Sequence, residues 1–187
     1  LIATGGALGD ELSSLQLRLR KVTRDRKEIS QALAALTAAT DALLRVREML
    51  GKAGSWSAAD VWLDGGVIAS YIKHDRLDGA ADHMVQAHHA LLRLRSELAD
   101  VAMGDGGALS LGVSPTLRQF DIWFDNIISD WMVRNRIRMT EEAVRNTMNR
   151  LATIRRELQD RDVALTRELG QIEGRRSLVI EMLAARD

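Results

Sequence analysis

Two pairs of aspartates have a spacing that could do chemistry. Asp60 and Asp64 lie four residues apart, as do Asp121 and Asp125, with Asp130 five residues further on. On a helix, that spacing puts both carboxylates of a pair on one face. Two such faces side by side could hold Mg²⁺, Mn²⁺ or Ca²⁺, which take oxygen ligands. His74, followed by Asp75 and Asp78, could add a nitrogen ligand or a base. The metal candidates are therefore Asp60, Asp64, Asp121, Asp125 and His74.

A plainer account of these residues carries more weight. The pairs interleave with Trp62, Trp123, Phe124 and Trp131, so some of the acids sit near apolar surface and need a partner. Lys73, Arg76, Arg118, Arg134 and Arg136 are close enough in sequence to supply one. A carboxylate di-iron site wants Glu together with Glu-x-x-His, and Glu97 is the one glutamate between residues 53 and 133. The chain has no Cys, which removes thiolate chemistry and disulfides. Neither Gly65–Gly66 nor Gly104-Asp105-Gly106-Gly107 has the frame of a phosphate loop. His74 reads as a residue near a helix end. No catalytic residue and no cofactor is assigned.

The elements that would position these residues are helical. Between clusters of Gly the composition favours helix, and the single Pro is at 115. Alternate steps of three and four from Leu12 meet Leu15, Leu19, Val22, Ile29, Leu33, Leu36, Leu43 and Leu50. Near the other end, Ile137, Val144, Leu151, Leu158, Leu165, Ile172 and Val179 fall at steps of seven. This periodicity predicts two supercoiling arms. Ser114 and Pro115 suit an N-cap and a first turn, which predicts one helix from 115 to 187. Gly170 and Gly174 weaken it unless packing compensates.

The seven aromatic residues all lie in the middle: Trp56, Trp62, Tyr71, Phe120, Trp123, Phe124 and Trp131. Helices are predicted there from about 57 to 72 and from about 77 to 103, the latter with Met84, Leu91, Leu94, Leu98 and Val101 on one side. The predicted fold is all-α: an elongated antiparallel helical hairpin, or coiled-coil stalk, with a small aromatic-rich helical head. Its parts are a stalk helix over 1–52 with 1–9 flexible, a head over 53–133 with a loop at 104–114, and a stalk helix over 134–187 continuous with the last helix of the head.

Charge is unevenly divided. The chain is neutral overall, but residues 53–133 are acidic and 134–187 mildly basic. The stretch from Arg18 to Lys27 holds six basic groups against Asp25, with no aromatic among them, so base stacking is not its mode. No run of about 18 uncharged apolar residues predicts a membrane span, and the start does not look like a signal peptide. A cytoplasmic setting is expected. Arg outnumbers Lys 22 to 4, a bias that suggests a GC-rich bacterial genome.

Several middle segments carry a resemblance. They are Gly65-Gly66-Val67-Ile68-Ala69, Lys73-His74, Leu77-Asp78 and Glu97-Leu98-Ala99-Asp100-Val101. With them go Phe120-Asp121, Phe124-Asp125, Asp130-Trp131-Met132-Val133 and Ile137. Over about residues 56–137 the chain resembles uncharacterised bacterial helical, coiled-coil proteins. No activity is established for them, so the resemblance implies an all-helical fold and no site residue.

The expected function is non-enzymatic: a scaffold or adaptor with Trp56, Trp62, Trp123 and Trp131 as candidate interaction residues. Its partners would be another protein and a second copy of the chain, in a homodimer or higher homo-oligomer. Ala32, Ala35, Ala38, Ala39 and Ala42 would permit the close helix approach this needs. Two other functions compete with it. One is a head that binds a divalent cation or small ligand, with hydrolytic chemistry. The other is a peripheral membrane or nucleic-acid binder acting through the basic stalk, which is less favoured.

Overall fold

The computed structural model describes the backbone over residues 2–59, 68–104 and 137–185, and side-chain packing over 6–51, 82–103 and 141–185. Three helices and no strands occur among the described residues: α1 (Ile2–Ala59), α2 (Ile68–Gly104) and α3 (Ile137–Ala184). The described residues are all-helical. Gly104, expected to open a loop at 104–114, lies in α2, while the rest of that loop and the helix expected over 115–136 lie outside the described residues.

The helices run further than glycine content implied. α1 passes through Gly5, Gly6, Gly9, Gly51 and Gly54 and includes most of the segment expected to be flexible. Glycine lowers helix propensity by about 1 kcal/mol without obstructing helical dihedrals. Leu8 and Leu12 pack on the core at this end. α2 is likewise one helix through Lys73, His74 and Asp78, where a boundary was expected near residues 72–77. His74 lies inside it, one and a half turns from its start, and not at a helix end.

α1 packs against both α2 and α3. Its direction relative to α3 is fixed by side-chain pairs. Glu11 meets Arg175, Arg18 meets Glu168, Arg26 meets Asp162, and Thr37 meets Arg155. The number on α3 falls as that on α1 rises, so the two are antiparallel. At the far end of α2, Asp100 and Met103 share a surface hollow with Arg24, Glu28 and Gln31. That contact sets the level at which α2 stops.

One row of side chains at seven-residue steps forms the seam on each long helix. On α1 it is Leu15, Val22, Ile29, Leu36, Leu43 and Leu50, all buried. On α3 it is Val144, Leu151, Leu158, Leu165, Ile172 and Val179, none more than 3% exposed. Seven residues fall just short of two turns of a straight helix, so such a row stays against a partner when the pair supercoils.

A second set of residues is buried only where α2 lies alongside. On α1 these are Ala32, Ala35, Ala39, Ala42 and Val46. Facing them, α2 buries Met84, Ala87, Leu91, Leu94, Leu98 and Val101, at alternate steps of three and four. Four alanines on α1 let the two backbones approach closely. The face that looked suited to a second copy is thus covered within one chain, with only Ala38 of that group exposed.

Candidate interaction surface

The α1–α3 pair presents two sides, and different side chains hold each. On the α2 side, the α1 row at seven-residue steps reads Glu11, Arg18, Asp25, Ala32, Ala39 and Val46. The α3 row on the same side reads Thr147, Ile154, Arg161, Glu168 and Arg175. Beyond the end of α2 these rows meet as ion pairs. Arg175 donates through Nε and Nη2 to the two carboxylate oxygens of Glu11, at 2.6 and 3.0 Å. Arg18 donates to Glu168 at 3.0 Å. The fork-to-fork contact holds the Glu11 carboxyl below its ordinary value, chiefly through the hydrogen bonds from Arg175 and secondarily through its charge.

Asp25 sits in this row at the level where α2 stops, and it is buried. A carboxylate there needs a donor, and Arg24 supplies one at 3.1 Å while also reaching Glu28 at 3.6 Å. Thr147 is buried further along α3. Its hydroxyl is satisfied by donating to the Ala143 carbonyl at 3.0 Å.

The opposite side has a different chemistry. Its α1 row is Leu12, Leu19, Arg26, Leu33, Thr40 and Arg47, and its α3 row is Met148, Arg155, Asp162, Leu169, Arg176 and Leu183. Leu12, Leu19, Leu33, Met148, Leu169 and Leu183 pack on the core while staying partly open. Arg26 donates to Asp162 at 3.0 Å across the groove, which removes one charge of each sign from it. The next row outward on α1 is Gly9, Gln16, Thr23, Ser30, Thr37 and Leu44, which contains no ionised group. Leu44 and Ile180 are exposed on this side. The result is a groove floored by partly open leucines and methionine, with Arg47, Arg155 and Arg176 spaced along its rows.

The basic stretch from Arg18 to Lys27 is partly neutralised. Arg18, Arg24 and Arg26 are engaged by Glu168, by Asp25 and Glu28, and by Asp162. Arg20, Lys21 and Lys27 face solvent. That leaves a sparse basic face, thinner than the sequence suggested.

Asp60, Asp64, Asp121, Asp125, Trp62, Trp123 and Trp131 lie outside the described residues. Trp56 and His74 are in the backbone of α1 and α2, and their side chains lie outside the described set. Among the described residues no group of three or more His, Asp or Glu could hold a metal ion. On α2, His88 and His89 have ring centroids 5.8 Å apart, and His83 is half-buried. No helix among the described residues is long and apolar enough to cross a membrane.

The functional features that sequence reasoning missed are the ion-paired row and the leucine-floored groove. Both were present as seven-residue rows beside the seam, at Glu11, Arg18 and Asp25 and at Gly9 through Leu44. Compared with known proteins, the chain matches no family model, no curated protein and no solved structure.

Proposed function

We propose that the chain is a non-enzymatic scaffold: an elongated helical hairpin stalk, with the aromatic-rich middle of the sequence as its head. The observation carrying this reading is that α1 and α3 stay packed well past the end of α2, from Glu11 with Arg175 to Arg26 with Asp162. A rod of that form sets distance. α1 alone is 58 residues, about 87 Å at 1.5 Å per residue.

The groove's partly open leucines support self-association. They and the exposed Leu44 and Ile180 suit a like apolar surface, while Arg47, Arg155 and Arg176 in the same rows would have to stay at the rim or find partners on assembly. We infer that the occupant is a second copy of the chain, giving a homodimer with a four-helix stalk. Sedimentation velocity over a range of concentrations tests this. The expected result is an elongated dimer that reverts to monomer in Leu44→Glu with Ile180→Glu, with helix content retained. A monomer at all concentrations would remove self-association. Separately, a Mg²⁺-, Mn²⁺- or Ca²⁺-dependent rise in melting temperature, lost in Asp121→Ala, would replace the scaffold with a cation-binding head.

A further inference from the structure

Beyond the uncharged row of α1 that borders the groove lies one more exposed row at seven-residue steps: Ser13, Arg20, Lys27, Ala34, Asp41 and Glu48. Lys27 joins Thr23, Ser30 and Leu33 of α1 around a hollow in the groove whose other wall is Asp162 and Leu169 of α3. The row therefore runs along the α1 edge of the groove. Ala32, Ala35, Ala39 and Ala42, which pack toward α2, lie on the other flank of the helix.

The charges along this row change sign once. Lys27 and Asp41 stand seven residues either side of Ala34, and Arg20 and Glu48 stand fourteen either side. Arg20, Lys27 and Asp41 make no ion pair among the described residues. Glu48 already has an interaction in its own chain, so Lys27 and Asp41 are the pair with most to gain. Within one molecule these two lie ~21 Å apart along α1 and cannot meet.

Two copies of α1 laid antiparallel bring them together. About a two-fold axis a contact is isologous: where residue i meets j, j also meets i. With the axis at Ala34, Lys27 of each copy lies level with the partner's Asp41, and Arg20 with the partner's Glu48. A slip of one heptad in either direction loses half of these pairings. A parallel alignment instead sets Arg20 and Lys27 level with their own copies, and like charges oppose association. Ser30, Ala34, Thr37 and Ala38 near the axis are small and exposed, so the two helices can approach there.

We infer that the second copy docks antiparallel along this edge of α1, with Ala34 at the two-fold axis, Lys27 against Asp41 and Arg20 against Glu48. This rests on the self-association reading and adds its direction and register. It places the Ala59 end of α1 at both tips of the dimer, making a rod that is alike at its two ends.

The test is a distance between copies in the full chain. There is no native Cys, so one introduced Cys carries one spin label and every distance read is between molecules. The label goes on Ala34→Cys or, in a second variant, on Gln16→Cys, both at exposed positions. Antiparallel pairing expects a separation within about 25 Å at position 34, because packed helices lie 8–10 Å apart. At position 16 it expects ~54 Å, twice eighteen residues of helix rise. Short distances at both positions mean a parallel dimer. A long distance at position 34, in a chain that sediments as a dimer, means a different contact. Either result overturns the inference and leaves self-association standing, whereas a monomer at every concentration overturns both. The charges are tested by Lys27→Glu, which should weaken dimerisation about tenfold because a symmetric dimer carries the change twice. Lys27→Glu with Asp41→Lys should restore it, with helix content unchanged throughout. A double variant as weak as the single one overturns the pairing.

Discussion

The section where α2 lies beside α1 and the section beyond it share one seam, and they differ in the row next to it. With α2 present, that row on α1 carries Ala32, Ala39 and Val46, all buried. Beyond the end of α2 it carries Asp25, Arg18 and Glu11, and the last two reach across to Glu168 and Arg175. The seam residues hold the pair together in both places. The neighbouring row decides whether a third helix can lie down: small apolar side chains admit one, and ion-paired side chains close the surface to it. The cross-helix ion pairs also fix the antiparallel register, which a uniform leucine seam alone specifies weakly.

The largest expected effect comes from the more crowded section. Leu36 is fully buried there. Leu36→Ala should cost roughly 2–5 kcal/mol, from lost transfer energy and the cavity left behind. The melting temperature should fall by about 10 °C. Leu19→Ala, in the partly open row, should cost clearly less in the same thermal unfolding experiment followed by circular dichroism. Equal losses would mean that the two sections are not differently packed.

Next in size is a test of the row itself. Ala39 is fully buried between α1 and α2. Ala39→Leu should destabilise by about 1–3 kcal/mol through overpacking. Arg18→Leu, three heptads earlier in the same row, adds apolar surface where no third helix presses, so its cost should be confined to the lost ion pair with Glu168. Urea midpoints of the two variants, compared at a constant slope, measure the difference. A larger loss for Arg18→Leu would sink the claim that this row marks the boundary of the third helix.

Two changes should stabilise. Gly170 and Gly174 are exposed on α3, and a Cβ built on either meets nothing within 4 Å. Alanine there gains helix propensity and meets no clash. Gly170→Ala and Gly174→Ala should each add up to about 1 kcal/mol, close to additively. A loss in either variant would show that this face of the two-helix section is occupied in solution by something that needs a bare backbone.

What the sequence revealed follows from which physical signals are local. Apolar residues at steps of seven suffice to mark a seam, and Val144 through Val179 are buried as their spacing implied. Which helix covers an alanine face is not a local property. Ala32, Ala35, Ala39 and Ala42 suit a second copy and α2 equally well, because a small side chain permits approach without selecting the partner. The change from Asp25 to Ala32 within one row did carry the answer, and it becomes legible only once the row is followed past the stripe of alanines. The continuation of α1 to Ala59 escaped the glycine count because Gly51 and Gly54 tax a helix without ending it. The aspartate pairs depend on how Asp60, Asp64, Asp121 and Asp125 are brought together, a tertiary matter that i, i+4 spacing cannot supply.

The smallest effect bears on the ion-paired row. The Glu11 carboxyl is held below its ordinary 4.5 by hydrogen bonds from Arg175 and by its charge. A lowered carboxylate value means that the folded state favours the ionised form more than the unfolded chain does. The pair therefore stabilises the fold above the ordinary value, and that contribution fades as pH falls through the lowered one. Arg175 is shifted upward by its hydrogen bonds to Glu11 and stays charged throughout, so it adds no dependence in acid. Glu11→Gln should lower the melting temperature slightly at neutral pH, less so in high salt because the pair is exposed. The gap between variant and parent should close as the solution is taken well below pH 4. A gap that persists in acid would show that Glu11 acts through packing. In that case the row beyond α2 would be closed to a third helix by shape, with charge playing no part.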